Sequence, residues 1–295
     1  MSAVETVPET HHGGAGDARE LLRRTGIVRL LRDAANRLRS ADGTSYARAL
    51  GHSSILTLIP AVIAMIGFVT AFDLPGLRRV LEDAAASIAP GAAGNILTRA
   101  LARSEPSSSI GALFIGLMGM IVSGTVGMSH LERAANRIYG VAEARSLWRR
   151  YGLALVLAVT VEVMLMVALT VIVAGGAIGE GNGGAAADPD VWSFVRWPTG
   201  IGLVAIAMTV IFRLVPNRHQ PGFSWLFSGT TVSVAVWVVA TLLLGLAYEH
   251  ATVLGDAFGP LVGIAALLVW GYATGLAVLI GLAFSAELEA ERAGR

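Results

Sequence analysis

Six long apolar stretches run along the chain, and more polar segments, most of which contain arginine, separate them. A helix needs about 20 apolar residues to cross the hydrocarbon layer of a bilayer, where unpaired backbone groups are not tolerated. The pattern therefore predicts an all-α, polytopic membrane protein. We expect a six-helix transmembrane domain at residues 51–290 and a short tail at 291–295, with spans at about 52–72, 108–128, 152–174, 197–215, 225–247 and 260–284.

The composition agrees with this prediction. The 295 residues are 54% hydrophobic and only 15% charged, and the mean hydropathy of +0.65 is far above that of an average soluble domain. Cysteine is absent, which excludes disulfides and thiolate sites. The first fifty residues contain no apolar core of the kind found in removable signal peptides, so we expect insertion to depend on the internal spans.

The arginines predict the orientation of the spans. If both termini are cytoplasmic, the inside segments contain 17 arginines and the outside segments contain five. Basic residues concentrate on the cytoplasmic side of bacterial membrane proteins. The distribution therefore predicts that both termini lie inside, although the net charge of +1 is itself uninformative.

The segments outside the spans differ in character. Residues 1–16 are small and polar and predict a disordered tail, whereas residues 17–50 predict a cytoplasmic amphipathic helical region. Two arrangements are open for the helix expected at 17–41: it lies along the anionic inner leaflet, or it packs on the loops between spans. Apolar residues in the loop 73–107 suggest further amphipathic interfacial helices.

Small residues recur along two of the predicted spans at a spacing of three or four residues. Such faces let another helix approach closely, and they serve either packing within the chain or a homo-oligomer contact. In the first span, Pro60 removes a backbone hydrogen bond and predicts a kink beside His52, Ser54 and Thr57, which could line a cavity. The small residues are Ala112, Gly116, Gly119, Ser123 and Gly127, then Gly255, Gly259 and Gly263 at the start of the last span, and Gly271 and Gly275 further along it.

One carboxylate lies within the third span. Glu162 is ten residues from Gly152, which corresponds to a depth of about 15 Å, near the middle of the bilayer. An acid there is expected to face the bundle interior. Two interpretations remain open: Glu162 belongs to a polar or proton-linked pathway, or it is a neutral, hydrogen-bonded acid that ties two helices together.

Six stretches carry a resemblance to a known family: YARALGHSSILTLIP at Tyr46–Pro60, LERAANRIYG at Leu131–Gly140, VPNR at Val215–Arg218, FGPL at 258–261, LVWGY at 268–272 and AELE at 286–289. Together they resemble the YihY/BrkB membrane family, formerly labelled ribonuclease BN, and most closely its actinobacterial YhjD-type branch. The resemblance extends from about residue 40 to 290, with order and spacing kept. Two positions depart from the family pattern, because His52 replaces a usual tyrosine and Ala283 replaces a usual acid.

The resemblance implies a multi-pass protein of the bacterial inner membrane that is connected with cell-envelope integrity. The leading hypothesis is a transporter or facilitator of phospholipid or lipid-linked envelope precursor movement; the alternative is a non-transporting scaffold for envelope-assembly proteins. We expect membrane lipids, and anionic headgroups at the inner leaflet, as partners. The lipid-pathway candidates are Glu162, His52, Ser54, Thr57, Pro60, Arg133, Asn136, Arg137, Arg213, Asn217 and Arg218.

Enzymatic activity is not expected. The sequence lacks the Gly-x-Ser-x-Gly and His-Glu-x-x-His motifs and shows no clustered metal-ligand set. It also has no segment long enough for a soluble domain that would bind nucleic acid. We therefore expect no catalytic residues, no metal and no cofactor.

Overall fold

The computed structural model of the chain describes residues 6–9, 14–73, 78, 106–141, 145–181, 189–250 and 252–294. Within these ranges, all regular secondary structure is helical. The helices are α1 (Ala15–Thr25), α2 (Ile27–Ser40), α3 (Gly43–Ala71), α4 (Pro106–Tyr139), α5 (Leu147–Gly181), α6 (Pro189–Leu214), α7 (Phe223–His250) and α8 (Thr252–Arg292).

Helices of membrane-spanning length account for much of the chain. By length and composition, four stretches could cross a membrane: Gly43–Ala71, Ser109–Tyr139, Phe223–Ala247 and Ala265–Arg292. This confirms a polytopic, all-α membrane protein. The other two predicted spans fall in α5 and α6, where many side chains lie outside the described set, and the apolar part identified in α6 is the shorter stretch Pro198–Leu214.

The helices extend beyond the predicted spans. α3 begins at Gly43, nine residues before the predicted start of the first span at 52, and α4 continues to Tyr139, eleven residues past the predicted end of the second at 128. Some polar residues of these extensions, such as Glu132 and Asn136, are buried within the protein. An apolar window marks the lipid-embedded part of a helix and so misses such ends.

The small-residue faces are packing surfaces within the chain. A Cβ added at Gly116 would overlap the backbone of Ala64, and one added at Gly119 would lie 2.8 Å from Cβ of Pro60. These contacts place α3 directly against α4. On the other side of α3, a Cβ at Gly271 of α8 would lie 3.0 Å from the carbonyl oxygen of Gly51.

The amphipathic segment 17–41 is two helices and not one. Gly26 separates α1 from α2 with φ = +82°, a backbone conformation that residues other than glycine rarely adopt. α2 packs on α8 and buries Leu30, Ala34 and Leu38. The segment thus packs on a helix of the protein, whereas one of the two arrangements considered placed it on loops, and its position along the inner leaflet stays a prediction.

The apolar core lies mainly where α2, the ends of α4 and α6, the start of α7 and the end of α8 meet. Trp225, Tyr139 and Phe212 are fully buried there. Every residue from 281 to 290 of α8 is buried as well. We call this region the charged end of the bundle, because it also contains the ion pairs described below.

Two predictions for segments outside the spans have different outcomes. Residues 6–9, within the predicted disordered tail 1–16, pack on the bundle; Val7 is only 3% exposed, so the prediction is wrong for these four residues. The sequence pattern missed them because a short extended segment has no periodicity to detect. The amphipathic helices suggested for 73–107 lie almost wholly outside the described residues.

Candidate functional site

A buried charge cluster joins five parts of the chain at the charged end of the bundle. α2, α4, α8, the segment after α4 and the turn 215–222 between α6 and α7 each contribute to it. Most of its side chains are nearly inaccessible to solvent. The cluster consists of Arg37, Glu132, Asn136, Arg145, Asn217, Arg218, Glu287 and Glu289.

Two of its ion pairs attach other segments to α8. Nε of Arg37 donates to Oε1 of Glu287 at 2.5 Å, and the two side chains are 5% and 2% exposed. Nη2 of Arg218 donates to Oε2 of Glu289 at 2.8 Å, with side-chain exposures of 3% and 0%. Glu287 and Glu289 are two residues apart on α8 and pair with different neighbours. The end of α8 therefore contacts both α2 and the turn 215–222.

Arg37 and Arg218 also make contacts with α4. Nη1 of Arg37 donates to the carbonyl oxygen of Ile138 at 3.2 Å, and the guanidinium of Arg218 lies 4.7 Å from the ring centre of Tyr139. A guanidinium over an aromatic face is electrostatically favourable. The end of α4 therefore packs against both ion pairs.

The turn 215–222 is held by a third arginine and by an amide. Arg145 donates to the carbonyl oxygens of residues 214, 215 and 216 at 2.8–3.1 Å and pairs with Glu132 at 3.2 Å. Oδ1 of Asn136 accepts a hydrogen bond from the backbone N–H of Asn217 at 2.7 Å. These contacts satisfy carbonyls at the end of α6 that have no partner within the helix.

A separate apolar cavity of ≈ 250 Å³ lies among α5, α6, α7 and α8. Nε1 of Trp237 donates to Oγ1 of Thr274 at 3.2 Å in its wall, and Trp237 packs edge-on against Trp270. Leu165, one of the residues that line the cavity, is 43% exposed. The remaining lining residues are Ala168, Val204, Met208, Ser233, Val234, Ala277 and Val278.

Glu162 lies on α5 with its carboxylate directed at α4. A Cβ added at Gly124 of α4 would overlap Oε1 of Glu162, so the carboxylate occupies the space that this glycine leaves. Both carboxylate oxygens are buried, and neither has a hydrogen-bond partner among the described residues. The acid therefore faces a helix and not the acyl chains, but it is not among the residues that line the cavity.

The candidates in the first span all lie on α3 and are not among the residues that line this cavity. His52 and Ser54 are on the exposed side of α3, and the helix continues through Pro60. Oγ of Ser54 and Oγ1 of Thr57 each donate to a carbonyl oxygen four residues earlier in their own helix, at 2.9 Å. These hydroxyl donors are thus satisfied within their own helix, and a role for the two residues in lining an opening beside the proline stays a prediction.

The four arginines predicted to attract anionic headgroups differ in their exposure and in their contacts. Arg133 is exposed and 2.9 Å from Nδ1 of His130, and Arg137 is half-buried one turn further along α4. Arg213 stacks over the ring of Phe223 at 4.3 Å. Arg218 does not fit that role, since its guanidinium is buried and already paired.

Sequence analysis identified only part of the buried charge cluster. It selected Asn136, Asn217 and Arg218, which the structure brings together, but it assigned no role to the rest of the cluster. Arg37 looks like any other residue of an arginine-rich amphipathic helix, and its pairing with an acid 250 residues away leaves no local pattern. The run AELE at 286–289 contained the signal for the two acids, because a helix end with alternating acids and buried apolar residues requires partners.

Within the described ranges, no group of three or more potential metal-ligating side chains occurs. The cluster connects segments of the chain through buried ion pairs. Removing one partner of a buried pair leaves an uncompensated charge, which is strongly unfavourable. The cluster therefore holds α2, α4, α8 and the turn 215–222 in one arrangement.

Comparison with known proteins gives a consistent result. The family model described as virulence factor BrkB matches residues 34–295. A Bacillus subtilis protein named ribonuclease-like, YfkH, is 22% identical over 257 residues, covering 85% of this chain and 92% of the relative. A UPF0761 membrane protein of Rhodospirillum centenum is 25% identical over 273 residues, covering 91% of this chain and 59% of the relative.

A UPF0761 membrane protein of Bordetella petrii is also 25% identical, over 280 residues that cover 92% of this chain and 60% of the relative. The chain thus spans about three fifths of the length of these UPF0761 relatives. No solved structure matches the chain.

Proposed function

Because the chain belongs to the BrkB membrane-protein family, we propose that it facilitates the movement of phospholipid or a lipid-linked envelope precursor in the bacterial inner membrane and so supports envelope integrity. The observation that carries this proposal is the apolar cavity among α5–α8. A scaffold that only packs its helices has no need of such a space.

The position of the cavity suits a lipid tail. Its walls are formed by helices whose outer faces carry exposed apolar side chains, and one of its lining residues, Leu165, is exposed. Burying an acyl chain releases about 0.8 kcal/mol for each methylene removed from water, but a chain moving from lipid into an apolar cavity gains little. Such a site favours exchange over tight retention, which is what a facilitator requires.

The proposal includes a topology of six spans with both termini in the cytoplasm, supported by the arginine distribution. In this topology the charged end of the bundle faces the cytoplasm. The exposed Arg133 and the half-buried Arg137 would then lie near the inner leaflet and attract anionic headgroups. We further propose that the chain has no enzymatic activity.

A cavity-filling substitution tests the proposal. Ala168 is 3% exposed and lines the cavity, so Ala168→Phe should block it. In liposomes containing a fluorescent phospholipid, inner-leaflet lipid is quenched from outside only after it moves to the outer leaflet. The rate of this movement should fall about tenfold, equivalent to a barrier about 1.4 kcal/mol higher.

The control for this experiment is Val167→Phe. Val167 neighbours Ala168 on α5 but is 47% exposed and does not line the cavity, so this variant should keep the wild-type rate. The proposal fails if wild-type protein moves lipid no faster than protein-free liposomes, or if both phenylalanine variants have the same effect.

Glu162 gives a second prediction. A buried acid without a hydrogen-bond partner destabilises the fold, and such costs are retained mainly at functional positions. Glu162→Leu is therefore expected to raise the free energy of unfolding by about 1 kcal/mol, while lipid movement falls. Thermal unfolding in detergent and the liposome assay measure the two effects.

Met164→Leu is the control for Glu162→Leu, because Met164 is half-buried on the same helix and apolar already. It should change neither quantity. A Glu162→Leu protein that is less stable than the wild type would show that the acid is a packing group with an unrecognised partner, and unchanged lipid movement would remove Glu162 from the pathway.

The alternative, a non-transporting scaffold for envelope-assembly proteins, relies on the loop 73–107 as a docking surface. That loop lies almost wholly outside the described residues. The liposome experiment separates the two functions, since a scaffold moves no lipid in the absence of its partners.

A further inference from the structure

Residues 6–9, which we call the N-terminal strap, have no regular secondary structure and lie across the charged end of the bundle. The backbone N–H of Val7 donates to the carbonyl oxygen of Tyr139 at 3.1 Å. Oγ1 of Thr6 donates to the carbonyl oxygen of Gly140 at 3.2 Å. One edge of the strap is thus bound by acceptors at the end of α4, which the helix itself leaves without partners.

The turn 215–222 binds the other edge of the strap with donors. Nη1 of Arg218 donates to the carbonyl oxygen of Val7 at 3.1 Å, and Nη2 donates to that of Pro8 at 2.9 Å. The backbone N–H of His219 donates to Oε1 of Glu9 at 3.2 Å, and its imidazole lies 3.9 Å from Oε2. Acceptors on one wall and donors on the other form a groove that fits an extended backbone.

Each strap residue matches the groove by its chemistry. Thr6 supplies a hydroxyl donor, and Val7 supplies a β-branched side chain that is 3% exposed. Pro8 has no N–H, so nothing is left unpaired at a position where the groove offers only a donor. Glu9 supplies the carboxylate that meets His219.

The strap has fewer stabilising contacts than the groove residues that bind it. Val7 is its only buried apolar side chain, and the contact between Glu9 and His219 is exposed. The groove residues have other partners: Arg218 is paired with Glu289 and stacked on Tyr139. Segments with few buried apolar contacts open locally at low free energy, so the strap can leave while the groove keeps its shape.

We propose that the end of α4 and the turn 215–222 form a peptide-binding groove, and that residues 6–9 are its built-in, exchangeable ligand. The ligand class is an extended segment with a hydroxyl residue, a β-branched residue, proline and an acid in succession. A segment of this chemistry supplied by another molecule competes with the strap for the same hydrogen bonds. The inference does not depend on lipid movement.

Cysteine labelling of the full-length protein tests the inference, since the chain contains no native cysteine. Val7→Cys places a thiol in the groove, and Thr44→Cys, at an exposed position at the start of α3, serves as the accessible control. Labelling at position 7 should be at least about tenfold slower than at position 44, as expected when several hydrogen bonds must open first.

A synthetic peptide of residues 4–11 with native sequence should then raise the labelling rate at position 7 towards that at position 44. The same peptide with Val7→Asp and Glu9→Lys should have no effect. In the protein, adding Glu9→Ala to Val7→Cys should accelerate labelling by about threefold to tenfold through loss of one charge-assisted hydrogen bond, with no change in the thermal unfolding midpoint.

Three results would overturn the inference. Equal labelling rates at positions 7 and 44 would show that the groove is not occupied by the strap. A slow rate that the native peptide leaves unchanged would show that the strap does not exchange, and equal effects of the native and altered peptides would show that the groove does not recognise this sequence.

Discussion

Arg37→Met should lower the free energy of unfolding by about 3–5 kcal/mol, because it leaves Glu287 buried and charged without its 2.5 Å partner. Adding Glu287→Leu to Arg37→Met should restore most of the lost stability. A buried ion pair replaced by apolar groups of similar size is often neutral or stabilising, since neither charge needs to be removed from water. Denaturant unfolding in detergent micelles measures each variant.

The ion pair between Arg29 and Glu291 is a control on the same two helices. The guanidinium of Arg29 is 66% exposed and lies 3.5 Å from Glu291, so Arg29→Met should cost less than about 1 kcal/mol. If Arg37→Met costs no more than Arg29→Met, or if the double replacement is as unstable as the single one, the buried pair does not hold α2 on α8 in the way inferred here.

Gly116→Ala, which adds a single methyl group, should lower the free energy of unfolding nearly as much as Arg37→Met. The added carbon of Gly116→Ala would overlap the backbone of Ala64, which cannot move without displacing α3 from α4. Overpacking a tight site costs about 1–3 kcal/mol, and we expect the upper part of this range because the obstacle is backbone. Thermal unfolding in nanodiscs provides the measurement.

Gly111→Ala is the matched control on α4, because a Cβ at Gly111 meets nothing within 4 Å. Alanine favours a helix over glycine by about 1 kcal/mol, so this variant should be as stable as the wild type or more stable. A Gly116→Ala protein with unchanged stability would mean that α3 and α4 are not in close contact in the membrane.

Much of the helical framework could be predicted from the sequence. Four of the six predicted spans lie within an observed helix, and the other two end one residue beyond α3 and α6. The small-residue faces at Gly116 and Gly271 mark the contacts of α3 with α4 and α8. These features are encoded locally, because hydrophobic runs and residue size depend only on neighbours along the same helix.

The candidate sites were less predictable because they depend on residues that are distant in sequence. The partner of Arg37 is 250 positions away, and the strap ligand Val7 is 211 positions from Arg218. Glu162 was identified by its isolation in an apolar run, but whether it faced the cavity or a neighbouring helix depended on the rotation of α5 against α4. The glycine at position 124, which receives its carboxylate, gives no separate signal in the sequence.

The position of the two acids at the end of α8 has a consequence for biosynthesis. Glu287 and Glu289 are synthesised after the segments with which they pair. Arg37 and Arg218 therefore have no acidic partner at these positions while the earlier helices enter the bilayer. Contacts between distant parts of a chain form late in folding. We therefore expect this face of the protein to close only after the ribosome has completed α8.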